Sequence, residues 1–127
     1  MIPILDLTRQ YNVLKDEIDQ VVLDVLASGY YILGPNVKAF ETEFAAYCNA
    51  HYGIGVASGT DALQIALMAL DLQPGDEIIT VPFTFVATTE TIQLVGAKPV
   101  FIDVCEDSFN LNPDLIEAKI TDKTKAI

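Results

Sequence analysis

The feature that most constrains the fold is the alternation, from Tyr52 onward, of short apolar runs with segments of helical periodicity. The runs are continuously apolar, which is typical of strands in a parallel sheet covered on both faces. The helical segments between them provide the crossover connections that parallel strands require. Strands are predicted over residues 52–57, 77–81 and 98–104. The chain is therefore predicted to be an α/β protein with a mostly parallel sheet flanked by helices.

The helices that lie between these strands are marked by turn and capping residues. The first follows the first strand at once, and the second is predicted over residues 84–95, with Gly96 closing it. After the third strand, Asn112 is suited to cap a helix and Pro113 to occupy its first position. This order predicts one helix after each of the three strands.

The residues before Tyr52 have a different rhythm. Apolar side chains recur every three or four positions over residues 13–26, which predicts an amphipathic helix that ends at Gly29. A second stripe over residues 37–47 follows Pro35, a residue favoured in the first turn of a helix. The pattern predicts two helices before the sheet begins.

The end of the chain also carries information. Residues 125–127 follow a polar turn and begin what we expect to be a fourth strand, at the last of 127 residues. We therefore predict an N-terminal helical segment at residues 1–51 and, at residues 52–127, the first part of a larger α/β domain that is truncated at its C-terminal end.

Composition limits the partners and the compartment. A formal net charge of −11 without a cluster of cations disfavours nucleic acid. No apolar run approaches the roughly 20 residues needed to span a bilayer, so no membrane association is expected. Cys48 and Cys105 fit no metal or redox spacing and are expected to be free, buried thiols. No metal site is predicted, and the cytoplasm is the expected location.

The junction between the first strand and its helix, Ser58-Gly59-Thr60-Asp61, is the candidate binding site. Ligands of parallel sheets bind beyond the carboxyl ends of the strands, and a helix N-terminus favours a phosphate. Gly59 allows close approach, and the hydroxyl groups of Ser58 and Thr60 are further donors. The alternative is that Ser58 or Thr60 only caps the helix. The spacing fits neither a dinucleotide fingerprint nor a nucleoside triphosphate loop, and it makes no nucleophile elbow.

Residues 82–89 form the second junction, with Phe83 and Phe85 close to three threonines. At the carboxyl end of a neighbouring strand, these aromatic rings could cover a flat ring beside the phosphate. The alternative is that both phenylalanines belong to the core.

Together these stretches resemble the DegT/DnrJ/EryC1/StrS family of pyridoxal-phosphate-dependent aminotransferases that act on nucleotide-linked keto-sugars. The resemblance extends over nearly the whole chain. Its main stretches are Ile2-Pro3-Ile4-Leu5-Asp6-Leu7, Gly29-Tyr30-Tyr31-Ile32-Leu33-Gly34-Pro35, Ser58-Gly59-Thr60-Asp61-Ala62-Leu63, Gly75-Asp76-Glu77-Ile78-Ile79, Pro82-Phe83-Thr84-Phe85-Val86-Ala87-Thr88 and Pro99-Val100-Phe101-Ile102-Asp103-Val104.

The resemblance implies a fold and a set of site residues. The fold is the large domain of fold-type-I pyridoxal phosphate (PLP) enzymes, of which this chain would be the incomplete N-terminal part. The implied cofactor-binding residues are Ser58, Gly59, Thr60 and Asp61 at the phosphate, and Phe85 stacked on the pyridine ring. The implied substrate-binding residues are Tyr31 and Gly34.

The resemblance also implies a reaction and partners. The full-length protein would transfer an amino group, from glutamate as the expected donor, to a nucleotide-linked keto-sugar, and would work as a homodimer. The lysine that holds PLP as a Schiff base would lie beyond Ile127. No catalytic residue is therefore predicted within the chain, which by itself is expected to be inactive.

Other functions remain open at this point. The family also resembles sugar dehydratases and regulatory proteins, and a histidine at the lysine position would favour dehydration. A different possibility is a non-catalytic interaction fragment in which the turn at Ser58 only caps a helix. A nicotinamide-dependent oxidoreductase is disfavoured by the glycine spacing.

Overall fold

A computed structural model describes residues 3–127, and Ile2 of the family-like stretch lies outside the described residues. The chain divides into two compact units, the first ending at Gly55 and the second comprising Val56–Ile127. The division falls a few residues after the predicted domain boundary, and the assignment of the two segments as domains stays a prediction.

The first unit consists of two helices. They are α1 (Leu7–Ser28) and α2 (Pro35–Tyr47). Asp6 caps α1 by accepting a hydrogen bond from the Arg9 amide at 3.0 Å, and Gly29 ends it in the left-handed conformation. Pro35 occupies the first turn of α2, as predicted. Both helices, the end of α1 at Gly29 and the place of Pro35 are therefore confirmed, whereas α1 begins at Leu7, before the predicted stripe.

The apolar side chains of these two helices have little cover within the described residues. No residue of α1 is buried, and Ala45 is the one buried residue of α2. On α2 the rings of Phe40 and Phe44 stack with centroids 5.5 Å apart, and Tyr47 continues the row at 6.3 Å. The two helices thus form where the apolar residues recur with helical periodicity, but in the described part of the chain they do not enclose a hydrophobic core of their own.

Residues 53–55 lie close against α2. The amide of Gly55 donates a hydrogen bond of 2.7 Å to Oε1 of Glu41. A Cβ atom placed on Gly53 would lie 2.5 Å from the carbonyl oxygen of Glu41, far inside van der Waals contact. The absence of a side chain at Gly53 therefore permits this approach.

The predicted strand at residues 52–57 is wrong. These residues are not in a strand, and within the described part of the chain none of their backbone groups joins a sheet ladder. A strand is defined by its neighbour as well as by its own apolar residues. Here the Gly55 amide bonds a side chain instead, and Tyr52 and Ile54 remain exposed.

The second unit is a parallel sheet with two helices packed against it. Its helices are α3 (Gly59–Met68) and α4 (Ala87–Leu94), and its strands are β1 (Glu77–Thr80), β2 (Lys98–Phe101) and β3 (Thr124–Ala126). Within the described residues the strand order is β2-β1-β3, with both pairings parallel. The predicted parallel α/β architecture is confirmed.

Three predicted elements of this unit differ from the structure by more than one residue. The helix predicted over residues 84–95 is α4, which begins only at Ala87. The third strand was expected to reach Val104 but ends at Phe101, and Val104 instead forms an isolated antiparallel bridge with Leu111. The helix predicted after Asn112 is two 3₁₀ turns, Pro113–Leu115 and Glu117–Lys119. Asn112 nevertheless caps the first turn, accepting from the Asp114 amide at 3.0 Å.

The core lies between β1 and α4. Ile78, Ile92 and Ala97 form a buried cluster against which Leu67 of α3 packs. Ile79 is the most deeply buried large side chain, with 1% of its surface exposed. The expected burial of both thiols is wrong, because Cys48 is exposed and Cys105 is partly exposed.

Helices α3 and α4 run side by side in the same direction. Met68 and Leu94, near their carboxyl ends, line one depression. Leu63 and Thr88, nearer their amino ends, line another together with Thr80, the last residue of β1. The first turns of both helices therefore lie at the carboxyl edge of the sheet.

Candidate functional site

The turn at Ser58 opens helix α3 and presents unpaired amides. The side chain of Ser58 accepts a hydrogen bond from the Asp61 amide at 3.1 Å, and its carbonyl accepts from Ala62 at 3.0 Å. The capping prediction is therefore correct for Ser58. The amides of Gly59 and Thr60 have no acceptor within the helix, since the first turn lacks a preceding turn.

The space in front of this turn is open. Ser58 and Gly59 are exposed, and Thr60 and Asp61 are partly exposed. Apart from its chain neighbours and the backbone of its own helix, no described atom lies within 4 Å of a Cβ position at Gly59. An anion could approach the free amides closely, where the helix dipole favours negative charge. The negative charge of the Asp61 carboxylate, in the same first turn, offsets part of the positive potential that favours an anion here. Capping by Ser58 and anion binding by the next two amides are compatible.

The loop that carries Phe85 lies at the start of α4. Its carboxyl-terminal part is held by the hydroxyl groups of Thr84 and Thr88, 2.9 Å apart, and by a 3.1 Å bond from the Thr88 amide to the Phe85 carbonyl. The ring of Phe85 is 76% exposed. The alternative that Phe85 is a core residue is therefore wrong, and its ring is accessible to a planar ligand.

Phe83 is also exposed, but its ring has a partner. It lies against Phe109, with centroids 5.7 Å apart and planes inclined by 36°. Phe109 belongs to the connection after β2 and adopts a left-handed backbone conformation with φ of 56°. Sequence reasoning missed Phe109. A bulky aromatic residue in the polar stretch Glu106-Asp107-Ser108-Phe109-Asn110 was the available indication.

The predicted substrate residues lie in the first unit, in the connection between α1 and α2. The hydroxyl of Tyr31 donates to the carbonyl of Leu26 at 3.0 Å, while its ring is largely exposed. Gly34 is buried and caps α2 with its carbonyl, which accepts from Val37 and Lys38. Of the two, Tyr31 offers an accessible surface and Gly34 shapes the backbone.

The opposite, amino edge of the sheet holds an ion pair. Nζ of Lys98 lies 3.5 Å from Oε1 of Glu77, and the Thr121 hydroxyl donates to Oε2 of Glu77 at 2.7 Å. The hydrogen bond from Thr121, assisted by the charge of Lys98, lowers the pKa of Glu77 below its ordinary value. Because Glu77 and Lys98 open their strands, Lys98 lies away from the Ser58 turn.

Residues 3–127 contain no cluster of three side chains suited to a metal ion. Nor does any helix in this range combine the length and apolarity needed to cross a membrane.

The chain is similar to known proteins over its whole length. The DegT/DnrJ/EryC1/StrS aminotransferase family matches residues 12–127. UDP-2-acetamido-2-deoxy-3-oxo-D-glucuronate aminotransferase from Pseudomonas aeruginosa is 52% identical over 127 residues, which are 100% of this chain and 35% of that protein. The pleiotropic regulatory protein of Geobacillus stearothermophilus is 50% identical over 99% of this chain and 34% of its own length.

Among solved structures, NtdA from Bacillus subtilis with bound cofactor PMP superposes with a TM-score of 0.92 at 35% identity. The match covers 97% of this chain and 28% of that one. The chain thus spans about a third of the length of the curated relatives it matches.

Proposed function

The chain belongs to the DegT/DnrJ/EryC1/StrS aminotransferase family, and from this premise we propose that it is the phosphate-holding part of a PLP-dependent aminotransferase. The full-length protein would transfer an amino group, with glutamate as donor, to a keto group of a nucleotide-linked sugar. The observation that carries the proposal is the open first turn of α3 at the carboxyl edge of the sheet. The Gly59 and Thr60 amides have no acceptor within the helix there, and a Cβ position at Gly59 meets no described atom from another element within 4 Å.

The residues of this turn fit the phosphate of PLP. The two free amides and the Thr60 hydroxyl would donate to phosphate oxygens, and Gly59 would allow the phosphate to approach the backbone. Ser58 would keep the helix start in place through its bond to Asp61. Asp61 would border the phosphate. The hydrogen bond from its amide to the Ser58 side chain would keep Asp61 in place.

Phe85 would cover the ring of the cofactor. Its exposed face lies in a loop at the same edge of the sheet as the Ser58 turn, and stacking on a flat heterocycle would bury it. When bound, PLP supplies an electron sink for the carbon from which the proton is removed. The residues of this chain would keep phosphate and ring fixed so that the reacting carbon stays in place.

The remaining parts of the proposal concern partners. Tyr31 and Gly34 would border the cleft for the nucleotide sugar, with the exposed ring of Tyr31 making the contact. The lysine that binds PLP covalently would be supplied by sequence beyond Ile127. We further propose a homodimer in the cytoplasm as the working form. The relative from Pseudomonas aeruginosa, named as an aminotransferase of a UDP-linked 3-oxo sugar, supports this substrate class.

A second candidate is a regulatory protein with the same fold. It is favoured by the 50% identity to the pleiotropic regulatory protein of Geobacillus stearothermophilus. In that case PLP could still bind, but no amino group would be transferred to a keto-sugar. The residue at the position of the PLP-binding lysine distinguishes this candidate from an aminotransferase. A histidine at that position would indicate a sugar dehydratase instead.

Titration of a full-length protein that carries this chain with PLP tests the proposal. The wild type should develop the visible absorbance of bound PLP, and Thr60→Ala should weaken PLP binding about tenfold or more, because it removes a donor to a charged group. Gly59→Asp should abolish binding by placing a carboxylate at the phosphate position.

Thr42→Ala is the matched control for the loss of a threonine hydroxyl. Thr42 lies on α2, where its hydroxyl bonds the Lys38 carbonyl at 2.9 Å. The Thr42→Ala variant should therefore bind PLP as tightly as the wild type. Equal affinity of the Thr60→Ala variant and the wild type would contradict the phosphate assignment, and binding of PLP without transfer to any nucleotide-linked keto-sugar would favour the regulatory candidate.

A further inference from the structure

The connection after β2 forms a hairpin that is held together by its own backbone. We call residues 103–112 the Phe109 hairpin. Its hydrogen bonds run from Cys105 to Asn110 at 2.8 Å, from Phe109 to Cys105 at 2.9 Å and from Asn112 to Asp103 at 3.1 Å. The bridge between Val104 and Leu111 lies between them. The tip of this hairpin is therefore a defined structure.

Phe109 is held at this tip in an unfavourable conformation. A φ of 56° is uncommon for a residue other than glycine and costs stability for a bulky side chain. The ring is 60% exposed, so burial in the core does not explain its presence. What it does contact is Phe83, in the loop after the neighbouring strand β1.

The loop that Phe109 contacts is the one that carries Phe85. We call residues 82–86 the Phe85 loop. Thr84 is fixed by the hydroxyl of Thr88 and by a 3.0 Å bond from its amide to the Pro82 carbonyl. Phe83 is fixed by the ring of Phe109. The Phe85 ring itself has no aromatic partner among the described residues, so its direction depends on these neighbours.

We propose that Phe109 is a positioning residue, which holds Phe83 and thereby sets the Phe85 ring at the height and tilt needed to stack on the cofactor. The inference rests on the proposed function, in which Phe85 covers the PLP ring. The structural basis of the inference is that β1 and β2 are adjacent parallel strands. The Phe85 loop and the Phe109 hairpin, which follow them, therefore lie side by side at one edge of the sheet. Phe109 acts through Phe83 and does not itself touch PLP.

Phe109→Gly is the informative variant. Glycine adopts the left-handed conformation without strain, so the hairpin should stay folded while the ring is lost. In a full-length protein that carries this chain, PLP affinity should fall by about three- to tenfold, the range of one aromatic contact. The circular dichroism of the bound PLP band should change, because the ring tilt is no longer fixed. Phe109→Tyr keeps the ring and should restore both readouts.

A double-mutant cycle with Phe85→Ala shows whether Phe109 acts through the Phe85 loop. Phe85→Ala should weaken PLP binding, and adding Phe109→Gly should cause no further loss, because the element that Phe109 positions is already absent. Losses that multiply in the double variant would overturn the inference, as would unchanged affinity and dichroism in Phe109→Gly.

These outcomes separate the inference from the proposed function. If Phe85→Ala binds PLP as tightly as the wild type, the stacking in the proposed function is wrong and the positioning role falls with it. If Phe85→Ala is weakened and Phe109→Gly is not, the proposed function stands and only the role of Phe109 is wrong. Chemical denaturation of each variant detects a global loss of folding, and Phe109→Tyr remains informative if Phe109→Gly fails to fold.

Discussion

The two units of this chain reach their structure by different routes. Up to Gly55, two regular helices form with correct caps, yet their apolar side chains stay largely exposed. From Val56 onward, shorter elements enclose a core around Ile78 and Ile79. Helix formation in the first unit is local, whereas the second unit depends on contacts between residues far apart in sequence. Regular secondary structure and a hydrophobic core are therefore separable in one chain.

Matched isoleucine substitutions give the largest expected contrast between the units. Ile79→Ala should lower the free energy of unfolding of the chain by about 2–5 kcal/mol, since it leaves a cavity beside a fully buried position. Ile18→Ala on α1, where the side chain is 38% exposed, should change it by about 0.5 kcal/mol or less. Urea denaturation followed by circular dichroism measures both. Equal losses would show that α1 is as well packed as the sheet.

Matched glycine substitutions should give a smaller contrast of the same kind. Gly53→Ala places a methyl group against the Glu41 carbonyl and should destabilise the first unit by about 1–3 kcal/mol. The methyl group of Gly59→Ala meets no described atom of another element within 4 Å and lies at a helix start, so folding should be unaffected. Hydrogen exchange of amides in α2 reports the difference. Unchanged exchange in Gly53→Ala would contradict the close contact.

The smallest expected effect is a pH dependence that arises from Glu77 in the second unit. The pKa of Glu77 is lowered by the hydrogen bond from Thr121 and by Lys98, so the ionised form is favoured by folding. Its contribution is present above the ordinary pKa of 4.5 and is lost as the pH falls through the lowered folded value. Denaturation of Glu77→Gln between pH 7 and about pH 3 should show a shallower acid loss than the wild type. Identical pH profiles would exclude this role.

The same division explains what the sequence could predict. The end of α1 at Gly29 and the start of α2 at Pro35 are predicted, because side-chain periodicity and these residues act within a few positions. The start of α1 at Leu7 is not predicted, although its cap, Asp6, is equally local. The parallel pairing of β1 with β2 follows from continuous apolar runs connected by the helix α4. Residues 52–57 carry the same apolar pattern, but a strand also needs a neighbour, and that requirement is invisible in the run itself.

The candidate site likewise has one part that the sequence predicts and another that it does not. The Ser58 cap and the free amides of Gly59 and Thr60 are local consequences of a helix start, and they could be predicted. The contact between Phe83 and Phe109 joins two connections that are separated in sequence by a helix and a strand. Neither residue type nor spacing specifies which loops meet. Only the adjacency of β1 and β2 brings these rings together.

The position of the ion pair between Glu77 and Lys98 has a consequence for how the protein tolerates salt and changes of surface charge. Strands of four residues place the two edges of the sheet about 10 Å apart, close to the Debye length at about 0.1 M ionic strength. Counterions therefore screen part of the charge of Lys98 from an anion at the far edge. Substitutions around Lys98 should alter solubility or isoelectric point more than they alter the electrostatic potential at the Ser58 turn.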